Sequence, residues 1–343
     1  MIDEGVIELS RNRYEIDMCN GTIMDKLVSF ALPLMVSGIL QLMFNAVDII
    51  VVGRFSGSQA LAAVGSTTAL INMFINLFIG ISLGANVLAA RFFAAGRSRE
   101  MSETVHTAVT FALLSGLFMA VFGLVFSRFA LELMGTPADV IDQSALYMRI
   151  YFLGMPFFML YNYGAAILRA VGDTKRPLMY LIVAGVTNAL LNMFLVIVLH
   201  MGVAGVAIAT VISQLISCFL VLRCLYMTDG SYQLRFSKLC IRKYYLVQIF
   251  QVGIPAGIQS TVINFSNVLL QSSVNSFGSI AMAGYTAANN ILGFLYASVN
   301  AVTQACMSFT SQNYGVGKYK RMDKVLLDCG ILSFVIAIVL GCG

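Results

Sequence analysis

The feature that most restricts the fold is positions 244–317, a run of 74 residues without a single Asp, Glu, Lys, Arg or His. As one helix, this run would be about 111 Å long, whereas the hydrocarbon core of a bilayer is roughly 30 Å thick. A soluble domain needs charged residues to cover its surface at shorter intervals than this. The run therefore predicts at least two membrane-spanning helices, with the turn between them at Ser276-Phe277-Gly278-Ser279.

The composition extends this prediction to the whole chain. Of 343 residues, 59% are hydrophobic and 11% are charged, whereas about 25% are charged in an ordinary soluble domain. The sequence therefore predicts an all-α membrane protein. Nine apolar stretches have the length of a span, near 27–52, 60–90, 105–127, 146–168, 178–199, 203–222, 245–275, 281–311 and 325–343.

The basic residues predict the orientation. Eighteen of the 21 Lys and Arg fall in the N-terminal tail or in the even-numbered loops, and only Arg54, Arg128 and Arg149 fall on the other side. Because cytoplasmic loops carry the excess of basic residues, this pattern predicts a multi-pass protein of the cell (plasma or inner) membrane with a cytoplasmic N-terminus. The same asymmetry accounts for the net charge of +5, so we expect the lipid bilayer as a partner and no nucleic acid.

An internal repeat with an offset of 221 to 222 residues divides the chain into lobes. Ala31-Leu32-Pro33 corresponds to Gly253-Ile254-Pro255, and positions 91–97 correspond to 312–318. The repeat unit has six helices, an even number, so the lobes should be related by an axis along the membrane normal and face each other across a cleft. The predicted domains are a cytoplasmic tail (1–23), a six-helix N-lobe (24–227), a cytoplasmic linker (228–244) and a partial C-lobe of three helices (245–343), which predicts a chain truncated after nine of twelve helices.

Asp48 is the acidic residue that stands out inside the predicted spans. The first predicted helix carries polar side chains at positions i, i+4 and i+7, namely Gln41, Asn45 and Asp48. This spacing places them on one face of the helix. A charged side chain at mid-bilayer costs at least about 2.5 to 3.5 kcal/mol. Either Asp48 is a proton or cation site in a watery cleft, or it is hydrated near the outer surface or paired with Arg54.

Further polar stripes lie on other predicted spans. The fifth span has Asn188 and Asn192, the sixth has Thr210, Gln214 and Ser217, the seventh has Asn264 and Asn267, and the eighth has Asn300, Gln304, Ser308 and Ser311. Together they are interpreted as the lining of a substrate cavity, with Gln41 and Asn45. The alternative for any one stripe is hydrogen bonding between helices, worth roughly 0.6 kcal/mol per side chain.

Pro33 and Pro255 occupy equivalent positions in the two copies of the repeat. They are interpreted as hinges, with plain packing kinks as an equal alternative. Asp173, in the turn between the fourth and fifth spans, is expected to be a solvated charge. The two histidines, His106 and His200, are far apart, and the sequence has no metalloprotease, phosphate-loop or nucleophile-elbow motif, so it does not predict an enzyme, a catalytic residue, a metal site or a cofactor.

Several short motifs together extend over almost everything after residue 24. They are Leu32-Pro33 with Asn45-Ala46-Val47-Asp48, Ala60-Leu61-Ala62-Ala63-Val64-Gly65, Leu168-Arg169-Ala170-Val171-Gly172-Asp173-Thr174-Lys175-Arg176-Pro177, Met201-Gly202-Val203-Ala204-Gly205 and Ala287-Ala288-Asn289-Asn290. In these motifs the chain resembles the multidrug and toxic compound extrusion (MATE) transporters.

The resemblance implies two six-helix lobes around a V-shaped cleft and export of drugs or metabolites by antiport with protons or sodium. It also implies a coupling cluster in the first lobe, which falls on Asp48, Asn188, Asn192 and Thr210. Many members have an acid where this chain has Asn192. With one carboxyl the site favours protonation of Asp48 over tight sodium binding.

The function predicted from these observations is a secondary active exporter of organic, often cationic, amphipathic compounds, working as a monomer by alternating access. One alternative is a flippase of the same superfamily for lipid-linked sugars or polysaccharides, which would need basic residues in the cleft to hold phosphates. The other is a non-transporting membrane fragment or scaffold.

Overall fold

The computed structural model describes residues 14–275 and 279–342. Within these residues, ten α-helices follow one another, and the sixth continues as a π-helix over Met193–Val198. A short 3₁₀ turn, Phe236–Lys238, lies in the segment between the seventh and eighth helices. The helices are α1 (Ile23–Phe55), α2 (Gly57–Ala94), α3 (Ser98–Leu133), α4 (Ile141–Leu153), α5 (Met155–Ala170), α6 (Lys175–Asn192), α7 (Gly202–Met227), α8 (Lys243–Asn275), α9 (Ser279–Gly315) and α10 (Tyr319–Cys342).

Most of these helices have the length and composition of membrane spans. Among the described residues, six meet that description, namely α1, α2, α3, α6, α7 and α8, and the bent pair α4–α5 makes a seventh. The sequence predicted nine spans, two of which correspond to α9 and α10. That these two helices span the membrane stays a prediction. On α3, several large apolar side chains are largely exposed, including Phe118 at 63% and Phe129 at 62%. Such a face suits lipid rather than water.

The fourth span is broken. It bends by 46° between α4 and α5 at Gly154, and Pro156 follows at the start of α5. Proline favours the first turn of a helix because it has no N–H to donate there. The sequence predicted one uninterrupted span here, and this break is a difference from that prediction.

The helix lengths reflect the internal repeat. Both α1 and α8 have 33 residues and an internal proline, at Pro33 and Pro255, and α2 and α9 have 38 and 37 residues. The contacts follow the same relationship, because α8 packs along α2 and α9 packs along α1. A two-fold relationship that exchanges α1 with α8 and α2 with α9 turns one of these contacts into the other.

Glycines make the α2–α8 contact close. Gly80 and Gly84 on α2 face Gly253 and Gly257 on α8, and a Cβ at any of these four positions would meet backbone atoms of the opposite helix. Small residues at i and i+4 let two helices approach closely, and close backbones gain dispersion contacts that lipid cannot supply. This contact holds α8 against the first seven helices.

Buried hydrogen bonds join the helices where α2, α5 and α9 meet. Ser308 Oγ donates to Asn86 Oδ1 at 3.1 Å, and Asn86 Nδ2 donates to the Ala166 carbonyl at 2.8 Å. Ser308 and Asn86 are 222 residues apart, which is the repeat offset, so two corresponding faces meet here. Ser308 was predicted to line a cavity; instead it is buried and joins helices, the alternative kept open for these stripes.

The segment 14–22, called here the N-terminal strap, lies across the same end of the molecule. Met18 is fully buried, and its carbonyl accepts hydrogen bonds from Asn313 and Arg321. On the other side, Tyr232 donates to the Glu15 carboxylate at 2.7 Å. The pKa of Tyr232 is raised, mainly by its burial and to a smaller extent by the Glu15 carboxylate. The strap therefore contacts both α9–α10 and the loops of the first seven helices.

The expectation that Asp173 is a solvated charge is wrong, and the strap is one of its neighbours. Asp173, predicted to be a solvated charge, is fully buried, and its carboxylate accepts two hydrogen bonds from Arg176. Burial raises the pKa of Asp173, and the charge of Arg176 opposes that shift. Ile16 of the strap packs against neighbouring Gly172, which has a φ of +98° and no room for a side chain.

The predicted turn at 276–279 falls largely on positions 276–278, outside the described residues.

The linker between α7 and α8 is held by α3. The backbone N–H of Arg235 donates to His106 Nε2 at 3.1 Å, and that of Arg242 donates to Thr107 Oγ1 at 3.2 Å. The other ring nitrogen of His106 lies 2.6 Å from the Ser102 carbonyl, which fixes the neutral tautomer with its proton on Nδ1. The two backbone hydrogen bonds therefore hold the linker between α7 and α8 against α3.

Candidate functional site

The candidate site forms where α1 lies close to α6. Gly185 on α6 leaves space for the ring of Phe44 on α1, and a Cβ at position 185 would overlap that ring. Asp48 follows Phe44 by one helical turn, and Asn188 and Asn192 follow Gly185 by one and two turns, so the close contact brings all three polar side chains to one level.

A chain of hydrogen bonds joins three helices at this level. Asn192 Nδ2 donates to Asp48 Oδ1 and also to Asn188 Oδ1, the latter at 3.2 Å. Asn188 Nδ2 in turn donates to Thr210 Oγ1 on α7 at 3.4 Å. The structure therefore brings together all four residues that the sequence predicted as a coupling cluster, and their role in coupling stays a prediction. We call Asp48, Asn188, Asn192 and Thr210 the carboxyl–amide cluster.

The carboxyl–amide cluster is shielded from its surroundings unequally. Asn192 is fully buried and Asn188 is 6% exposed, whereas Asp48 is half-buried. Arg54, the alternative partner considered from the sequence, is exposed at the end of α1, and none of the ion pairs among the described residues joins it to Asp48. One side of the Asp48 carboxyl therefore faces two buried amides, and the other side is exposed at the surface of the structure.

An unsatisfied acceptor adjoins the carboxyl. Asn192 Oδ1 is buried and has no hydrogen-bond partner among the described residues. A buried amide oxygen without a partner costs about 1 to 3 kcal/mol. Asn192 is also the last residue before the π-helix Met193–Val198, and such segments are frequent at functional sites. Together these features suit a site that takes up a proton, a water or a small cation.

Two tyrosines were missed by the sequence analysis. Tyr147 and Tyr151 on α4 lie in the neighbourhood of Asp48, and Tyr151 lies beside Gln214. Gly154 leaves the space that Gln214 occupies on α7. Gln214 was predicted to line the substrate cavity, and the structure places it half-buried beside Tyr151. An aromatic pair at i and i+4 is so ordinary in a membrane helix that the sequence carried no signal for it.

The other predicted cavity residues do not join this cluster. Gln41 and Asn45 are exposed on α1, as are Asn267 on α8 and Asn300 on α9. Asn264 is half-buried and donates to the Ser260 carbonyl of its own helix at 3.0 Å. Exposed amides inside a span suit a water-filled space better than lipid, and their role as cavity lining stays a prediction.

The proposed hinges lie inside continuous helices. Pro33 is buried in α1 and Pro255 is exposed in α8. The Pro33 carbonyl accepts a hydrogen bond from Ser37 Oγ at 2.8 Å. Whether these prolines act as hinges stays a prediction.

A small cleft opens near the carboxyl–amide cluster, at the end of the molecule opposite the N-terminal strap. It has a volume of about 290 Å³ and includes Gln143, Val196 and His200. Val196 lies one turn after Asn192, and Gln143 precedes Tyr147 by one turn. Within the described part of the chain, no group of three or more His, Cys, Asp or Glu could hold a metal ion.

Comparison with known proteins gives a consistent family. The model of the MatE family matches residues 33–194 and 255–342. The probable multidrug resistance protein YoeA of Bacillus subtilis (strain 168) is 35% identical over 321 residues, which are 91% of this chain and 69% of that protein. The probable multidrug resistance protein YpnP of the same strain is 31% identical over 316 residues, or 89% of this chain and 68% of that protein.

Solved structures share the fold. One, described as the outward-facing conformation of a multidrug resistance MATE family transporter of the MOP superfamily, superposes with a TM-score of 0.88 at 22% identity. The match extends over 94% of this chain and 72% of that structure. At this level of identity, the likeness concerns the fold alone.

Fold and relatives together define a multi-pass α-helical membrane transporter. The chain belongs to the MatE family, the multidrug and toxic compound extrusion transporters that its motifs resemble. The predicted fold class and family are confirmed, and the relatives' names confirm a transporter family rather than an enzyme.

Proposed function

We propose that this protein exports organic, often cationic, amphipathic compounds from the cell in exchange for protons that bind at Asp48. The observation that carries the proposal is the hydrogen bond from Asn192 to the half-buried Asp48 carboxylate, at a point where three helices meet. The family membership supports export of small molecules as the activity.

The carboxyl–amide cluster can accommodate either state of the carboxyl. When Asp48 is ionised, the Asn192 amide donates to it, as observed. When Asp48 is protonated, its O–H can donate to an amide oxygen, and Asn192 Oδ1 has no other partner among the described residues. The carboxyl–amide cluster therefore offers a hydrogen-bond partner to each form.

A single carboxyl favours protons over sodium as the coupling ion. Sodium prefers several oxygen ligands with negative charge among them, and here Asp48 is the acidic member of the cluster. The membrane supplies the energy: one charge moving down 100 mV releases about 2.3 kcal/mol, equivalent to a concentration ratio of about 50.

The orientation and the location are part of the proposal. Basic residues of several loops meet at the end of the molecule that carries the N-terminal strap, where Arg91 lies over the ring of Tyr314 and Lys318 donates to Asn20. We place this end in the cytoplasm of the plasma or inner membrane because the basic side faces inwards.

The test is dye efflux from cells and from proteoliposomes with proton and sodium gradients collapsed separately. We expect Asp48→Asn to abolish gradient-driven efflux and Asp48→Glu to retain part of it. The control is Asp142→Asn, since Asp142 is 79% exposed in an ion pair with Arg128, a contact that contributes little. Unchanged efflux in Asp48→Asn would overturn the coupling role, and no gradient-dependent flux in the parent protein would favour a scaffold.

A further inference from the structure

A second cleft lies at the strap end of the molecule, between the end of α2 and the start of α8. Its volume is about 830 Å³. It is separate from the carboxyl–amide cluster, whose four residues do not line it. We call it the α2–α8 cleft.

The outer part of the α2–α8 cleft is basic. Arg91, Arg97 and Lys243 line it, and none of the acids in the described part of the chain does. A neighbouring cleft shares Lys243 and adds Arg99 and Arg242. The acid that lines it, Glu103, lies 3.4 Å from Arg99 Nε, so among the described residues its ion pair is with Arg99 and not with a base of the α2–α8 cleft.

The inner part of the α2–α8 cleft is uncharged and mainly apolar, with the amides of Gln248 and Gln251 among its lining. Val87 lies one turn before Arg91 on α2, and Val247 and Val252 lie one and two turns beyond Lys243 on α8. Along both helices, the lining therefore changes from charged to uncharged in the same direction, from the helix end towards the middle of the membrane. A phospholipid with an anionic headgroup has this order of charge and hydrocarbon.

The repeat shows what the corresponding cleft contains in the other copy. The equivalent place lies between the start of α1 and the end of α9, and the N-terminal strap occupies it. There Lys318, the repeat equivalent of Arg97, donates to the Cys19 carbonyl at 2.9 Å and to Asn20 Oδ1 at 2.7 Å. The basic residue of the filled copy is thus bound to oxygen acceptors.

Among the described residues, no segment provides oxygen acceptors to the basic side chains of the α2–α8 copy. The linker that precedes α8 donates to His106 and Thr107 on α3, and none of its hydrogen bonds within the described ranges goes to the side chains of Arg91, Arg97 or Lys243. The cleft consequently stays open towards the surroundings of the helices, with Arg91, Arg97 and Lys243 all exposed. Basic pockets between helices at the cytoplasmic side of a membrane are suited to anionic lipid headgroups.

We propose that the α2–α8 cleft binds one anionic phospholipid from the adjacent leaflet. The phosphate oxygens occupy the place beside Arg97 that strap oxygens occupy beside Lys318, and an acyl chain lies along Val87, Val247 and Val252. This site goes beyond the exporter function and does not depend on Asp48.

The test is native mass spectrometry of the detergent-purified chain, titrated with phosphatidylglycerol or with phosphatidylcholine of the same acyl chains. We expect one phosphatidylglycerol to bind at least tenfold more tightly than phosphatidylcholine. Each basic side chain near a phosphate contributes about a fivefold effect, so Arg91→Gln/Arg97→Gln/Lys243→Gln should weaken phosphatidylglycerol at least tenfold. The matched control neutralises three exposed basic residues at the same end outside the cleft, Lys238→Gln/Lys320→Gln/Lys324→Gln, and should change it less than twofold.

Two further measurements keep the test decisive. Arg91 also lies 4.8 Å from the ring centre of Tyr314, so the double variant Arg97→Gln/Lys243→Gln repeats the experiment with that contact intact. Val247→Trp fills the apolar part and should weaken phosphatidylglycerol without changing the charge. Equal binding of the two lipids, equal losses in both triple variants, or equally tight binding of soluble glycerol phosphate would each overturn the proposal.

Discussion

We expect Asn192 to determine which ion the carboxyl–amide cluster can accept. It donates to Asp48 and Asn188, and its Oδ1 has no hydrogen-bond partner within the described residues. Replacing it with aspartate exchanges the donor for a second carboxylate. Two carboxylates at this distance cannot both stay charged unless a cation lies between them.

We therefore expect Asn192→Asp to make efflux depend on sodium. Dye efflux from proteoliposomes should rise severalfold with an imposed sodium gradient, whereas the parent protein should respond to the proton gradient alone. Asn192→Leu is the matched control, because it removes the donor without adding charge, and it should lower efflux with either ion. A sodium response in Asn192→Leu, or none in Asn192→Asp, would contradict this account.

Sequence reasoning found the polar members of the cluster but not what holds them together. Asp48, Asn188 and Asn192 were conspicuous because ionisable and amide side chains are costly in lipid. Thr210 was one member of a polar stripe, and the resemblance to the MATE family implied that the four form one cluster. The approach of Phe44 to Gly185 was not predictable, because apolar residues and glycines occur throughout these helices. Nor does any sequence signal mark the π-helix that begins after Asn192.

At the scale of helices, the contact of α1 with α6 sets the spacing of the cluster. We expect Gly185→Ala to push Phe44 away, to separate Asp48 from Asn192 and to cost about 1 to 3 kcal/mol of stability. The midpoint of thermal unfolding in detergent and the rate of dye efflux should both fall.

The control for this change is Gly65→Ala on α2, where a Cβ would meet nothing within 4 Å. It should leave both measurements unchanged. The double variant Phe44→Ala/Gly185→Ala provides room for the new methyl group and should recover part of the efflux lost in Gly185→Ala. Strict additivity of the two single effects would mean that the ring and the glycine do not act through each other.

The repeat of helices was predictable from the sequence, whereas the course of each helix was only partly predictable. The matched prolines and motifs gave the repeat offset, and the lengths of α1 and α8, and of α2 and α9, agree with it. The bend at Gly154 was not expected, because the apolar run continues through it and hydrophobicity alone does not reveal a break.

At the scale of the whole molecule, the N-terminal strap joins the two halves of the repeat. It contacts Tyr232 and Arg176 on one side and Asn313 and Arg321 on the other. The sequence predicted only a cytoplasmic tail over positions 1–23. The burial of Met18 could not be predicted because it depends on contacts with residues nearly 300 positions away.

We expect Met18→Ala to loosen this junction. A buried methionine replaced by alanine loses about 2 to 5 kcal/mol through lost contacts and the cavity left behind. Hydrogen–deuterium exchange of the peptide 14–22 should become faster, and the thermal midpoint should fall. Met179→Ala is the matched control, since Met179 is 58% exposed, and it should change neither. If the strap exchanged at the parent rate in Met18→Ala while the thermal midpoint fell, Met18 would stabilise the fold without holding the two halves together.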